Sequence, residues 1–180
     1  MWAGGVRPHG CQEISVKPAL LVIDIQKEFY KYGPATVQSL DAALENVNAA
    51  IALFREKRLP VVCIQHIEEE DGLVPGAEGF DLPDALRILP DDLHIHKTYG
   101  NSFNKTPLEE KLREAGVDTV IITGFCAEYC VLSTYRGAED RDFTPIVLRG
   151  SLASTKPENI PFVESIGDVI SYGALRKVLA

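Results

Sequence analysis

Residues 119–134 read Thr119-Val-Ile-Ile-Thr-Gly124-Phe-Cys-Ala-Glu-Tyr-Cys130-Val-Leu-Ser-Thr134. An apolar, β-branched run ends in a glycine turn, which predicts a strand over 119–125. A run that is apolar on both faces belongs inside a parallel sheet covered by helices above and below. The residues after the turn read as a helix over 128–141. Strand, glycine turn and helix in succession form the repeating unit of an α/β fold.

The same alternation continues in both directions. Residues 19–25, Ala-Leu-Leu-Val-Ile-Asp-Ile, form another continuous apolar run and predict a buried strand. Leu40, Leu44, Val47, Ile51 and Phe54 then recur at helical spacing within a helix expected over 40–58. Short strands are expected at 61–65, 93–97, 144–149 and 169–171. A helix over 106–115 carries a Thr cap, Pro107 in its first turn and Gly116 beyond its end. A closing helix is expected over 172–179. Together these elements predict a three-layer α/β/α domain with a mostly parallel central sheet of about six strands, Rossmann-like in layout. Residues 1–17 show no periodicity and read as an N-terminal lead-in; residues 18–180 read as one domain.

Composition narrows the functional classes. The chain has 180 residues, 46% hydrophobic and 24% charged, with a net charge of −8. That charge argues against a nucleic-acid or anionic-membrane surface, both of which need basic patches. The four cysteines, at 11, 63, 126 and 130, match no disulfide framework or zinc spacing. A reducing, cytoplasmic setting is the expectation. The N-terminus lacks the apolar core of a signal peptide, and no apolar run reaches the ~20 residues of a membrane span.

In a parallel α/β sheet, ligands gather beyond the carboxyl ends of the strands. Asp24 lies at the end of the first predicted strand, Lys97 ends the third and Cys130 follows the fourth. An acid, an ammonium and a thiol would then share one edge. A thiol at a helix start is expected to gain acidity from unpaired N–H groups. Asp24 is a candidate base for its proton, and Lys97 a candidate to stabilise negative charge.

Three ordered motifs carry a family likeness. Asp24-Ile-Gln-Lys-Glu-Phe29 resembles the Asp-x-Gln-x-x-Phe opening of the isochorismatase-like (cysteine hydrolase) superfamily, which includes the nicotinamidases. Lys97-Thr-Tyr-Gly-Asn-Ser-Phe103, followed by Thr106-Pro-Leu108, resembles its central Lys…Ser-x-Phe…Thr-x-Leu stretch. Gly124 to Val131 resembles its Gly-x-x-Thr-(Asp/Glu)-x-Cys-Val signature, with Thr134 at the usual spacing. The resemblance implies an isochorismatase-like fold and a catalytic triad of Asp24, Lys97 and Cys130. It also implies a non-proline cis peptide between Phe125 and Cys126, and an oxyanion hole made by the backbone N–H groups of Cys126 and Cys130. The implied activity is hydrolysis of a C–N bond in a small amide, ureide or carbamoyl compound through a thioester, without a cofactor. An assembly of two or more identical subunits is implied as well.

Two departures stand out. Ala127 replaces the threonine of the signature, and the nicotinamidase metal set is unmatched, since the corresponding place reads His66-Ile67-Glu68. No metal is therefore expected. Phe29, Gln26, His66, Tyr99, Phe103 and Tyr129 are the candidate substrate-binding residues, with core packing the alternative for the aromatic ones. Cys63 reads as a core residue and the acidic stretch 68–72 as a solvated surface, while loops 68–83 and 99–105, with a neighbouring subunit as a further source, are expected to supply pocket walls. Nicotinamidase is the alternative within the same class. A thiol redox protein using Cys126 and Cys130, or a noncatalytic protein that kept the fold, are the alternatives outside it.

Overall fold

The computed structural model describes residues 16–180; most of the lead-in expected at 1–17, namely residues 1–15, lies outside the described residues. Six strands form one sheet: β1 (Pro18–Ile23), β2 (Val61–His66), β3 (Leu93–Lys97), β4 (Thr119–Gly124), β5 (Thr144–Leu152) and β6 (Val169–Ile170). Their spatial order is β3-β2-β1-β4-β5-β6. Every pairing is parallel. The helices are α1 (Pro34–Glu56), α2 (Leu108–Glu114), α3 (Leu132–Glu139), α4 (Ile160–Ser165) and α5 (Tyr172–Val178).

The alternation of side chains along β1 produces the layers. Ala19, Leu21 and Ile23 point into one core, which Leu108 and Leu112 of α2, Tyr135 and Ala138 of α3 and Val163 of α4 complete. Leu20 and Val22 point into the other, which Val47, Ala50, Ile51 and Phe54 of α1 and Leu175 of α5 complete. Phe54 is fully buried, and burial of such a side chain contributes about 1.5–3 kcal/mol.

Several boundaries differ from expectation. α1 starts at Pro34 rather than residue 40, because Pro is well suited to the first helical turn and Thr36 and Ser39 fill buried positions without being apolar. The helix expected over 128–141 is a π-helical turn, Ala127–Val131, running into α3. α2 starts at Leu108, whose N–H reaches Thr106 Oγ1 at 3.3 Å. β5 runs on to Leu152 past Gly150, at φ +74°, with a register shift opposite Ile122 and Gly124. α4 has too short a pattern to register as periodic. Among the described residues no helix is long and apolar enough to cross a membrane.

The strand order reverses at β1. The chain first adds β2 and β3 on one side, then returns to place β4 on the other. Connections leaving β1 and β4 diverge here and open a crevice at their carboxyl ends.

Candidate active site

Asp24 is the first residue beyond β1 and adopts φ +51°, a left-handed conformation that few residues other than glycine enter. Its N–H bonds to Ile64 O at 2.8 Å, which holds the turn against β2. Gly124, at the matching end of β4, has φ +118°, and a Cβ there would lie 2.1 Å from Ile23 O. The two neighbouring strand ends therefore approach closely only because residue 124 has no side chain.

Lys97 closes β3 and sends its Nζ beneath β2 to Asp24 Oδ2, 2.7 Å away, with side-chain exposures of 0% and 1%. Burying two charges costs several kcal/mol per ion unless they meet at such range. Lys97 Nζ also lies 3.3 Å from His66 Nδ1. A lysine only donates, so Nδ1 accepts and the ring proton sits on Nε2, which faces Glu68 Oε2 at 3.5 Å. Asp24 Oδ1 is buried and has no conventional hydrogen-bond partner among the described residues.

Cys130 comes from the π-helical turn and is partly exposed. Burial, and then the Asp24 carboxylate, push its thiol up to about 12, with Lys97 pulling the other way. The expected gain of acidity at a helix start is thus overturned: the resting sulfur is a protonated thiol facing a carboxylate. Cys63, within β2, is also raised to about 12, by burial first, and stays in the core as expected. Cys126 is buried, its thiol 3.2 Å from Glu128 Oε2.

The Phe125–Cys126 peptide is cis. Neighbouring N–H groups are consumed, Ala127 N by Ala153 O at 2.9 Å, Tyr129 N and Val131 N by Cys126 O at 3.0 and 3.2 Å. The Cys126 N–H has no acceptor among the described residues. Glu128 anchors this loop from outside. Its carboxylate accepts from Ser154 Oγ at 2.7 Å and Asn159 Nδ2 at 2.8 Å. Burial pushes the Glu128 acid upward, but the hydrogen bonds from Asn159, Ser154 and Cys126 outweigh it and hold the carboxyl below its usual range. Ala127 is fully buried in the apolar core, where its methyl needs no polar partner.

Asp24, Cys126 and Cys130 line one cavity of about 520 Å³ with Phe29, His66 and Tyr129. Phe29 packs on Phe125 at 4.7 Å between ring centres. Three expected substrate contacts lie elsewhere. Gln26 is fully buried and clamps the backbone: its Nε2 donates to His66 O at 3.1 Å and Phe80 O at 3.3 Å, and its Oε1 accepts from His66 N at 2.7 Å. Phe103 is a core side chain stacked on Phe143 at 5.7 Å. Tyr99 faces outward, and its hydroxyl accepts from Lys105 Nζ at 2.8 Å. The motif around them positions backbone instead, because Ser102 N donates to Thr134 Oγ1 at 3.0 Å and ties the loop after Lys97 to α3.

Glu68, Asp71 and Leu73 line the cavity from the 68–83 loop expected to supply its walls, the 99–105 loop expected to do the same contributes none, and Glu28, Tyr32 and Phe125 are lining residues that sequence reasoning missed. The solvated-surface reading of residues 68–72 fails for Glu68 and Asp71, while the expectation of a wall from 68–83 agrees with the position of that loop beyond the carboxyl end of a strand. Among the described residues no three His, Cys, Asp or Glu side chains gather to hold a metal.

The fold and strand-end residues invite comparison with known proteins. Residues 18–162 match the isochorismatase domain. The isochorismatase family protein YddQ of Bacillus subtilis is 31% identical over 140 residues, covering 76% of this chain and 78% of that one. The ureidoacrylate amidohydrolase RutB of Methylobacterium radiotolerans is 31% identical over 129 residues, covering 72% of this chain and 48% of that one. The crystal structure of N-carbamoylsarcosine amidase from Thermoplasma acidophilum superposes with a TM-score of 0.75 at 26% identity, covering 87% of this chain and 96% of that one. A domain match spanning most of the chain, joined to a parallel sheet with the same likeness in three dimensions, makes this protein a member of the isochorismatase family of hydrolases.

Proposed function

We propose that the protein hydrolyses a C–N bond in a small amide, ureide or carbamoyl compound, with Cys130 as nucleophile. The observation that carries this reading is that Asp24, paired with the buried Lys97 at 2.7 Å, lines the same cavity as Cys130. The amidohydrolase and amidase names among the relatives agree with it. A cavity of about 520 Å³ suits a small molecule.

The resting thiol is protonated, so attack requires a base, and Asp24 is the carboxylate in place to take the proton. As the proton leaves, sulfur bonds to the substrate carbonyl carbon and the carbonyl oxygen gains the negative charge. The N–H groups of Cys126 and Cys130 receive that oxygen; one such donor lowers a barrier by roughly 3 kcal/mol. Protonated Asp24 then gives its proton to the leaving nitrogen as the C–N bond breaks, which leaves a thioester. Water attacks the thioester with Asp24 again the base, the C–S bond breaks to release the acid product, and the sulfur takes back the proton that Asp24 accepted from water. Lys97, 2.7 Å from Asp24, orients its carboxylate and stabilises negative charge throughout.

The test is ammonia release from a panel of small amides, ureides and carbamoyl compounds, nicotinamide included, by the parent protein and by Cys130→Ala. Turnover by the parent and its loss in the variant are expected, with a covalent acyl adduct on Cys130 trapped by rapid acid quench. Undiminished turnover by Cys130→Ala would end this reading.

A further inference from the structure

The cavity carries an unbalanced charge. Four carboxylates line it, from Asp24, Glu28, Glu68 and Asp71, and no Lys or Arg does among the described residues. Lys97 balances Asp24 at 2.7 Å, and Lys31 balances Glu28 at 2.7 Å. Glu68 faces only the His66 ring at 3.5 Å. Asp71 forms no ion pair among the described residues. Two carboxylates therefore remain uncompensated on one side of the cavity.

That side is also aromatic. Tyr32 packs edge-on against Phe29 at 5.6 Å between ring centres. Its phenol is raised, first by burial and then by Glu28, Asp71 and Glu68, so three carboxylates bear on one hydroxyl. Tyr129, 66% exposed, contributes a second ring to the lining. Carboxylates beside aromatic faces make a site for organic cations, because both the charge and the ring quadrupole attract them. A separate observation marks where the other end of a ligand goes. Asp24 is 1% exposed, lines the same cavity, and its Oδ1 is unpartnered. A bound molecule thus meets Asp24 and the Cys130 sulfur at the floor and negative charge at the rim.

Resting on the hydrolase reading of this cavity, we propose that the substrate is a cationic amide: its carbonyl lies over Cys130 and an amine, guanidine or quaternary ammonium group lies among Glu68, Asp71, Tyr32 and Tyr129. Substrates carrying a free carboxylate at that end are repelled, since no Lys or Arg among the described residues lines the rim to receive them.

Two measurements test this separately from the chemistry. The first reads the local field through Cys130 modification, followed by mass spectrometry of the peptide that contains it. Reagents are a trimethylammonium-ethyl methanethiosulfonate and a sulfonatoethyl methanethiosulfonate, each rate normalised to 2-mercaptoethanol. The cationic reagent is expected to react about tenfold or more faster, and Glu68→Gln/Asp71→Asn to collapse that ratio towards one. The second compares ammonia release from 4-aminobutanamide, pentanamide and 4-carbamoylbutanoate. The order cation, neutral, anion is expected in kcat/KM, with the double variant raising KM for the cation. A normalised reagent ratio of one or less in the parent protein overturns the inference. So does Cys130-dependent turnover that is fastest with the neutral or anionic amide, and in that case the hydrolase reading stands. Turnover insensitive to Cys130→Ala overturns the hydrolase reading instead, and the reagent ratio still decides whether the rim selects cations.

Discussion

The floor and the rim of the cavity are built by opposite means. The floor rests on strand ends: Asp24, beyond β1, lines it and is fixed by a 2.7 Å ion pair to Lys97 at the end of β3, both almost wholly buried. The rim consists of loop side chains such as Tyr32, Asp71 and Tyr129, all exposed. Strand ends hold geometry to the tolerance that bond-making needs. Loops tolerate change and set which molecule is admitted. The reaction class thus resides in the scaffold, and selectivity resides in what surrounds it.

Substitutions at the two levels should separate cleanly. Cys130→Ala is expected to lower kcat by about 10⁴-fold or more, whereas Tyr129→Ala should lower kcat/KM by less than about tenfold; steady-state kinetics on one responsive amide decides. Equal losses would erase the distinction. Lys97→Met leaves the Asp24 charge buried without its partner and should destabilise the fold by about 3–5 kcal/mol. Glu68→Gln at the rim should change stability by no more than about 0.5 kcal/mol, with both values read from urea melts.

The motif that follows Lys97 offers a contrast of similar size. Phe103→Ala should cost about 3–5 kcal/mol of stability as a core truncation, while Tyr99→Ala should stay within about 0.5 kcal/mol and leave amide turnover unaltered. A turnover defect in Tyr99→Ala would return that ring to the site.

The smallest expected effect concerns alkaline stability. The Cys63 thiol has its folded value raised from 9.0 to about 12 by burial. The folded state therefore keeps a proton that the unfolded chain loses, so stability is full below about pH 9 and falls as pH climbs towards 12. Cys130 contributes with the same sign. Melting temperatures between pH 8 and 11 should fall, and Cys63→Val should make that fall shallower. An unchanged slope would contradict the burial argument.

The same division explains what was legible in the sequence. Doubly buried strands such as 119–124 are continuous apolar runs, so the sheet and the strand-end positions of Asp24, Lys97 and Cys130 could be read directly. Helix starts were less visible where polar residues are buried, as with Thr36 and Ser39 in the first turns of α1. Aromatic residues near a motif carry no label for direction: Phe29 and Phe103 look alike in sequence, yet one lines the cavity and the other stacks on Phe143. Glu68 and Asp71 resembled any solvated acid because only the path of the β2–β3 connection brings them over the floor. The acidity of Cys130 was misjudged because burial, invisible in a local motif, outweighs Lys97.

The floor has a further consequence for how the protein is made. Its carboxylate, ammonium and sulfur come from positions 24, 97 and 130, and the strands that carry them meet only across β1. A growing chain on the ribosome brings these three groups together only after most of its length has emerged and the central strand has found neighbours on both sides. On the proposed mechanism, catalytic competence therefore arrives late, and turnover can serve as a stopwatch for completed folding.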